Sequence, residues 1–193
     1  MKMVMPLLFI LGLLWFFNPA EANSSENQYC ADERCFYIDD EALLPTTQLQ
    51  DYPQYASLSN RFNTGGERTF VFSPRYKQWA AYDSDGYMVA KGIANGGADF
   101  CEDLGKPCHT PSGVYRVRSK GSSECVSNKF PIGVGGAEMP YCMFFSGGYA
   151  IHGSPYISNQ NGSHGCIRVH TSAARWLSQY FMNPGTKVVV LPY

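Results

Sequence analysis

The chain has 193 residues, a formal net charge of −1, and only 16% charged residues. This near-neutral balance offers no basic surface for nucleic acid or for an anionic membrane, so we predict neither as a partner. Aromatic residues reach 15% and glycine occurs 19 times, which is typical of a compact, turn-rich β protein rather than a helical bundle or a disordered tail.

Residues 1–22 have the pattern of a secretory signal peptide. Lys2 precedes an almost wholly apolar run from Val4 to Phe17, and Ala20 and Ala22 form an A-x-A cleavage pattern. An uncleaved membrane anchor is the alternative, but an apolar core of about 14 residues is shorter than the roughly 20 that a spanning helix needs. We therefore predict cleavage after Ala22, export, and no stable membrane insertion of the mature chain.

The exported part would hold all of the cysteines, which are Cys30, Cys35, Cys101, Cys108, Cys125, Cys142 and Cys166. In an oxidising compartment six of the seven can pair, and one is left over. Pairing the close neighbours 30 with 35 and 101 with 108 leaves 125 with 142 and isolates Cys166. Six cysteines allow fifteen pairings, so other connectivities stay open.

The order of predicted elements begins with an irregular N-terminal extension over residues 23–66, which contains NSSENQ, LLPTTQ and DYPQY. From position 67 onward, RTFVFSP, KQWAAYD and YMVAKGIAN are short runs typical of strands, and DSDG is a turn before the third. A polar loop, GGADFCEDLGKPCHTPSG, follows. VYRVRSK then alternates apolar and polar side chains, as a strand does.

The remaining elements are one long strand, one helix and a closing strand. YCMFFSGGYAIHG is the longest strand-like run and ends near His152. TSAARWLSQYFM carries apolar residues at helical spacing, with Thr171 or Ser172 as N-cap and NPG as the stop. TKVVVLP is typical of a buried strand. We therefore predict a mainly β domain over residues 67–193 with one short helix.

Three of the four histidines surround Cys166 in the stretch IHGSPYISNQNGSHGCIRVH. If SHGCIRV is extended, His164, Cys166 and Arg168 share one face, and Gly165 lets a substrate approach the backbone. A neighbouring histidine or positive charge activates a thiol, so His152 is the candidate base and Arg168 a candidate carboxylate ligand. The N–H groups of Gly165 and Cys166 are candidates for an oxyanion hole. Together they predict a cysteine acyltransferase or hydrolase acting on an amide.

Plainer interpretations compete with this one. A lone cysteine is more often buried and inert, and a lone histidine or arginine is more often structural. A zinc site made of His152, His164, Cys166 and His170 is the main rival. Structural zinc ligands usually come as two tight pairs, which this spacing lacks, so we predict no metal. His109 has no evident partner in the sequence.

Several motifs resemble those of the L,D-transpeptidases of the YkuD type, bacterial cell-wall cross-linking enzymes with a catalytic cysteine. IHG followed after a loop by SHGCIRV resembles their catalytic pattern, and TPSGVYRV, MPYCMFFSGGYAIHG and NPGTKVVVLP resemble flanking strands. The resemblance covers residues 67–193 and implies a β-sandwich-like catalytic domain. It also implies that Cys166 is the nucleophile and His152 the proton acceptor and donor. The supporting and substrate-binding residues that it implies are Ser163, His164, Gly165 and Arg168.

The resemblance implies a reaction as well. Such an enzyme opens the bond after the third residue of a peptidoglycan tetrapeptide stem, releases D-alanine, and passes the acyl group to an amine. The old bond supplies the energy, so no cofactor is implied, and the expected location is the periplasm or cell envelope. Protein attachment, hydrolysis of wall peptides, and a non-catalytic wall-binding or host-interaction role remain alternatives. Ten residues separate His152 from Ser163, and this short loop is expected to influence the choice of acceptor.

Overall fold

The computed structural model describes residues 58–129 and 136–193, together with the backbone of two short N-terminal strands, β1 (Gln28–Ala31) and β2 (Arg34–Tyr37). The predicted signal peptide and the side chains of Cys30 and Cys35 lie outside the described residues. Within the described part of the chain, no helix is both long and apolar enough to cross a membrane.

The N-terminal segment predicted to be irregular contains regular structure. Strands β1 and β2 pair antiparallel, with Cys30 and Cys35 as partners across the hairpin. Further along, Leu58 and Phe62 pack against Tyr82 on the outer face of the sheet, so the packed domain begins before position 67. Neither QYCA nor RCFY alternates apolar and polar residues, so period two does not reveal these strands in the sequence.

One continuous sheet forms the body of the described domain. Its strand order is β6-β11-β3-β4-β5-β10-β9-β8-β7. The strands are β3 (Thr69–Ser73), β4 (Gln78–Tyr82), β5 (Met88–Asn95), β6 (Gly113–Arg116), β7 (Ser119–Lys120), β8 (Met143–Ser146), β9 (Tyr149–Ser154), β10 (Ile167–His170) and β11 (Lys187–Val190).

Most predicted strands are confirmed, but the longest one is wrong. The run YCMFFSGGYAIHG is a hairpin rather than a single strand, because the chain turns between β8 and β9 at Gly147 and Gly148. Gly147 has a φ of +50°, a left-handed conformation that glycine adopts without a steric penalty. The turn places His152 on an inner strand with a neighbour on each side.

The predicted helix is present and shorter than its apolar pattern suggested. Helix α1 (Thr171–Trp176) follows β10 without a gap and continues as a π-helical turn over Leu177–Phe181. The N-cap is His170 rather than Thr171 or Ser172, and its side chain makes no capping hydrogen bond. The last residue of the strand takes the cap position because the strand runs directly into the helix.

The main core lies between the two halves of the curled sheet and α1. Phe70 and Trp79 come from β3 and β4, Ile151 and Ile167 from β9 and β10, and Trp176 from the helix, and all are buried. Strands from both halves therefore share one core, which confirms the predicted mainly β, sandwich-like fold. Side chains alternate along a strand, so the residues next to these isoleucines face away from the core.

Candidate active site

Strand register brings His152 and Arg168 together. Strands β9 and β10 run parallel, with Ile151 opposite Ile167 and His152 opposite Arg168. Because the two isoleucines point into the core, the histidine and arginine share the other face of the sheet. Cys166 immediately precedes β10 and packs on that face, against a small buried cluster that includes Ala150. The predicted nucleophile, base and cation therefore lie on one face of the sheet.

His152 is oriented and kept neutral by its surroundings. The side chain is 5% exposed, and Nδ1 lies 2.8 Å from the carbonyl oxygen of Gly153. Burial lowers the pKa of His152 from 6.5 to about 4, and the charge of Arg168 acts in the same direction, while the carbonyl contact opposes them. A carbonyl can only accept, so Nδ1 carries the hydrogen and Nε2 is left as an unprotonated base.

Cys166 is the free cysteine among the described residues. Burial raises the pKa of its thiol, and a backbone hydrogen bond from Ala150 and the charge of Arg168 oppose that rise. Its sulfur lies 3.8 Å from the carbonyl oxygen of Gly148, which the thiol proton can reach. At neutral pH the site therefore holds a protonated thiol and a neutral imidazole, and the nucleophile needs a base when it attacks.

Arg168 supplies a positive charge without an acidic partner. The residue is partly buried, and none of the described carboxylates forms an ion pair with it. Burial lowers the pKa of Arg168, although a guanidinium stays charged in any plausible site. Its planar set of donors suits a carboxylate, so a negatively charged group of a ligand is the partner that fits best.

Ser163 and Gly165 shape the backbone ahead of the nucleophile. The Ser163 hydroxyl donates to the carbonyl oxygen of Cys166 at 2.6 Å and accepts the Gly165 N–H at 3.0 Å. The Gly165 N–H is therefore not available for an oxyanion hole, which corrects the expectation from sequence. The Cys166 N–H has no acceptor among the described residues. Gly165 has a φ of +116°, and a Cβ there would lie 2.3 Å from the Tyr149 ring.

Thr110 is a site residue that sequence reasoning missed. It is fully buried, and its hydroxyl donates to the carbonyl oxygen of Gly165 at 2.8 Å and accepts the N–H of Gly97 at 3.1 Å. Its own N–H donates to the Tyr193 hydroxyl at 2.9 Å. The T-P-S-G motif was assigned only to the entry of a strand. Its resemblance to the family's T-P-x-G turn was the signal that could have found Thr110.

His164 does not share the strand face of Cys166 and Arg168, so that prediction is wrong. Strand β10 begins only at Ile167, and the chain bends before it, so alternation does not extend back to position 164. The His164 Nε2 instead lies 2.9 Å from the Asp103 carboxylate.

The four residues of the zinc alternative are also drawn apart. His164 pairs with Asp103, and His170 Nδ1 lies 3.1 Å from the Ser172 hydroxyl. Across the described ranges, a single group of three possible ligands comes within 4.8 Å, and it consists of Cys101, Asp103 and His164. The cysteine of that group is already bonded in a disulfide. The alternative that placed zinc at Cys166 therefore has no geometric support.

Two predicted disulfides are confirmed. Cys101 bonds Cys108, and Cys125 bonds Cys142. His109, which had no evident partner in the sequence, lies 2.7 Å from the Asp99 carboxylate and stacks on Tyr193. These contacts fasten the polar loop that precedes the T-P-S-G motif.

The loop between His152 and Ser163 is held to the end of β5. The Asn161 side chain accepts the N–H of Gly96 at 2.9 Å, and the N–H of Ser163 donates to the Gly96 carbonyl at 3.0 Å. Asn95 donates to the Ser158 carbonyl at 3.2 Å. These contacts fix the loop on the sheet beside the predicted base and nucleophile.

Comparison with known proteins agrees with this geometry. Residues 67–190 match the model of the YkuD family, the L,D-transpeptidase catalytic domain. The L,D-transpeptidase of Xylanimonas cellulosilytica is 27% identical, with a TM-score of 0.61 over 77% of this chain and 70% of that chain. No curated protein matches the chain.

Two further solved structures share the fold. The L,D-transpeptidase from Stackebrandtia nassauensis is 18% identical, with a TM-score of 0.57 over 71% of this chain and 61% of that chain. L,D-transpeptidase 3 from Mycobacterium tuberculosis, solved with a faropenem-derived adduct, is 22% identical, with a TM-score of 0.52 over 65% of this chain and 60% of that one. The chain thus spans about 60% of the length of these two proteins. Since the family model matches well over half of its residues, the chain belongs to the YkuD family of L,D-transpeptidase catalytic domains.

Proposed function

We propose that the exported chain is a peptidoglycan L,D-transpeptidase that forms an acyl-enzyme on Cys166. The observation that carries this proposal is that a thiol, an oriented neutral imidazole and a guanidinium that pairs with none of the described carboxylates share one face at β9 and β10. A binding module has no need of a base aligned with a thiol. The residues present also need no cofactor for acyl transfer, because each step uses the thiol and one imidazole.

In the first half-reaction His152 acts as a base. Its Nε2 takes the thiol proton of Cys166 as sulfur attacks the carbonyl carbon of the third residue of a tetrapeptide stem. Negative charge develops on the carbonyl oxygen, and the Cys166 N–H donates a hydrogen bond to it. The tetrahedral intermediate then expels D-alanine, whose amine takes the proton from His152, and a thioester remains.

In the second half-reaction an amine attacks the thioester. His152 takes a proton from the attacking amine and returns it to the departing Cys166 sulfur, so a new amide forms and the enzyme is regenerated. An amine on a neighbouring stem gives a cross-link between two third-position residues, and an amine on a protein gives attachment. Water in place of the amine would make the enzyme an L,D-carboxypeptidase.

Arg168 is proposed to bind a carboxylate of the stem. Peptidoglycan stems carry free carboxylates near the scissile bond, and a partly buried guanidinium that pairs with none of the described carboxylates is suited to one of them. This substrate places the enzyme in the periplasm or cell envelope. The predicted signal peptide and the two disulfides agree with such a location, because disulfides persist in oxidising compartments.

The test is incubation of the chain, without residues 1–22, with purified tetrapeptide muropeptides. Dimers joined through two third-position residues are expected, together with released D-alanine. Tripeptide without dimer would mean that the enzyme hydrolyses the stem and does not cross-link it. Unchanged substrate would refute the enzymatic proposal. Mass spectrometry with a carbapenem should also detect one adduct on the wild-type chain and none on Cys166→Ala.

A further inference from the structure

We propose that the disulfide loop, residues 101–108, positions the catalytic Ser-His-Gly-Cys segment, and that Asp103 is a positioning residue acting through His164. This inference rests on the proposed function, because the reaction that it tunes is the attack by Cys166. It assigns a part in that reaction to residues that are neither the nucleophile nor the base. The segment is held from the side by a polar loop that the Cys101–Cys108 bond closes.

The contact between loop and segment joins the Asp103 carboxylate to one ring nitrogen of His164. Both carboxylate oxygens of Asp103 approach the same nitrogen of His164, at 3.0 and 2.9 Å. The side chains are 48% and 30% exposed, so water screens the pair and it adds little to the stability of the fold. An exposed pair can still fix the rotamer of the histidine, and His164 lies two residues before the nucleophile.

Main-chain contacts reinforce this link. The Ser163 carbonyl accepts the N–H of Ala98 at 2.8 Å, and the Ala98 carbonyl accepts the N–H of Cys108 at 3.1 Å. The Ser163 hydroxyl in turn holds the Gly165 N–H and the Cys166 carbonyl. A displacement of the loop therefore moves Ser163, and through Ser163 it moves the backbone on both sides of the nucleophile's N–H.

The disulfide keeps the loop in this shape. Inside it, the Cys101 N–H donates to the Lys106 carbonyl at 2.9 Å, and Gly105 adopts a φ of +61°. Most of the loop between the two cysteines is exposed, so little packing holds it. Removing a cross-link that closes a short exposed loop restores the chain entropy that the bond had removed, and Asp103 would then no longer be fixed beside His164.

Asp99 provides a matched control for Asp103. Both aspartates lie in the same region and both pair with a histidine, but the partner of Asp99 is His109, which is outside the catalytic segment. We compare Asp103→Asn with Asp99→Asn by kcat and KM on muropeptides, by the rate of carbapenem acylation, and by the melting temperature. Asp103→Glu, which can restore the pair, is the rescue variant.

Asp103→Asn is expected to lower kcat and the acylation rate about tenfold, since small misplacements of a reacting group are costly. KM and the melting temperature should change little, because Asp103 does not contact the reacting atoms. Asp99→Asn should stay within about twofold of wild type, and Asp103→Glu should recover most of the lost rate. If Asp103 only stabilised the fold, Asp103→Asn would lower the melting temperature and would not lower kcat at an unchanged KM.

The cross-link is tested by replacing Cys101 and Cys108 together with serine. This variant should lose about as much rate as Asp103→Asn, and adding Asp103→Asn to it should cost nothing further, because the two changes break one connection. Wild-type rates in Asp103→Asn, or additive losses of rate in the triple variant, would overturn the positioning role of Asp103. The proposed function of the chain would still stand. A wild-type chain that neither reacts with muropeptides nor forms the adduct would overturn the proposed function and this role with it.

Discussion

Replacing the buried base His152 with glutamine should make the free energy of unfolding fall less steeply as the pH drops. The pKa of His152 is about 4 in the folded chain against a usual 6.5. Between these values the unfolded chain binds a proton that the folded chain does not, so the free energy of unfolding falls as pH drops. A pKa difference of about 2.5, at about 1.4 kcal/mol per pH unit, gives about 3.5 kcal/mol in total. This stability is fully present above about pH 6.5 and is lost by about pH 4.

Urea denaturation of the wild type and of His152→Gln, at pH 7 and at about pH 4.5, measures this pH-dependent part of the free energy of unfolding. The wild type should lose about 2 kcal/mol more than His152→Gln between the two conditions, because most of the titration falls inside that window. Glutamine can still donate to the Gly153 carbonyl, which limits the mutation's other effects. The same acid slope in His152→Gln and wild type would refute the assignment of a buried neutral base.

Two further predictions concern the backbone and the thiol. Gly165→Ala should destabilise the fold by about 2 to 5 kcal/mol, because it combines backbone strain at a positive φ with an atom placed in the Tyr149 ring. In Gly148→Ala the new Cβ meets nothing within 4 Å, so that control should stay near wild type, and equal urea midpoints for the two variants would contradict the prediction. The raised pKa of Cys166 predicts that its alkylation by iodoacetamide climbs with pH, about tenfold per unit up to at least pH 9. A rate that is flat between about pH 5 and 8 would instead indicate a resting thiolate–imidazolium pair.

The local sequence pattern was sufficient to predict an element of structure where that element depends on residues that are neighbours in sequence. β-Branched and aromatic content placed β3, β4 and β5, alternation placed β6, and apolar spacing placed α1. The same reasoning failed at His164, because period two holds only while the backbone stays extended. Gly165, at a φ of +116°, interrupts that extension just before Cys166.

The odd number of cysteines and the motif around Cys166 predicted, from sequence alone, one free thiol with His152 as its base. Tertiary structure decided how the pair is held. The parallel register of β9 and β10 sets His152 opposite Arg168, and Thr110 and Asp103 reach the catalytic segment from more than 50 residues earlier in the chain. Contacts of that kind leave no local period in the sequence, because they depend on how distant segments pack. The supporting residues of this site were therefore found only once the sheet and its disulfide loop were in place.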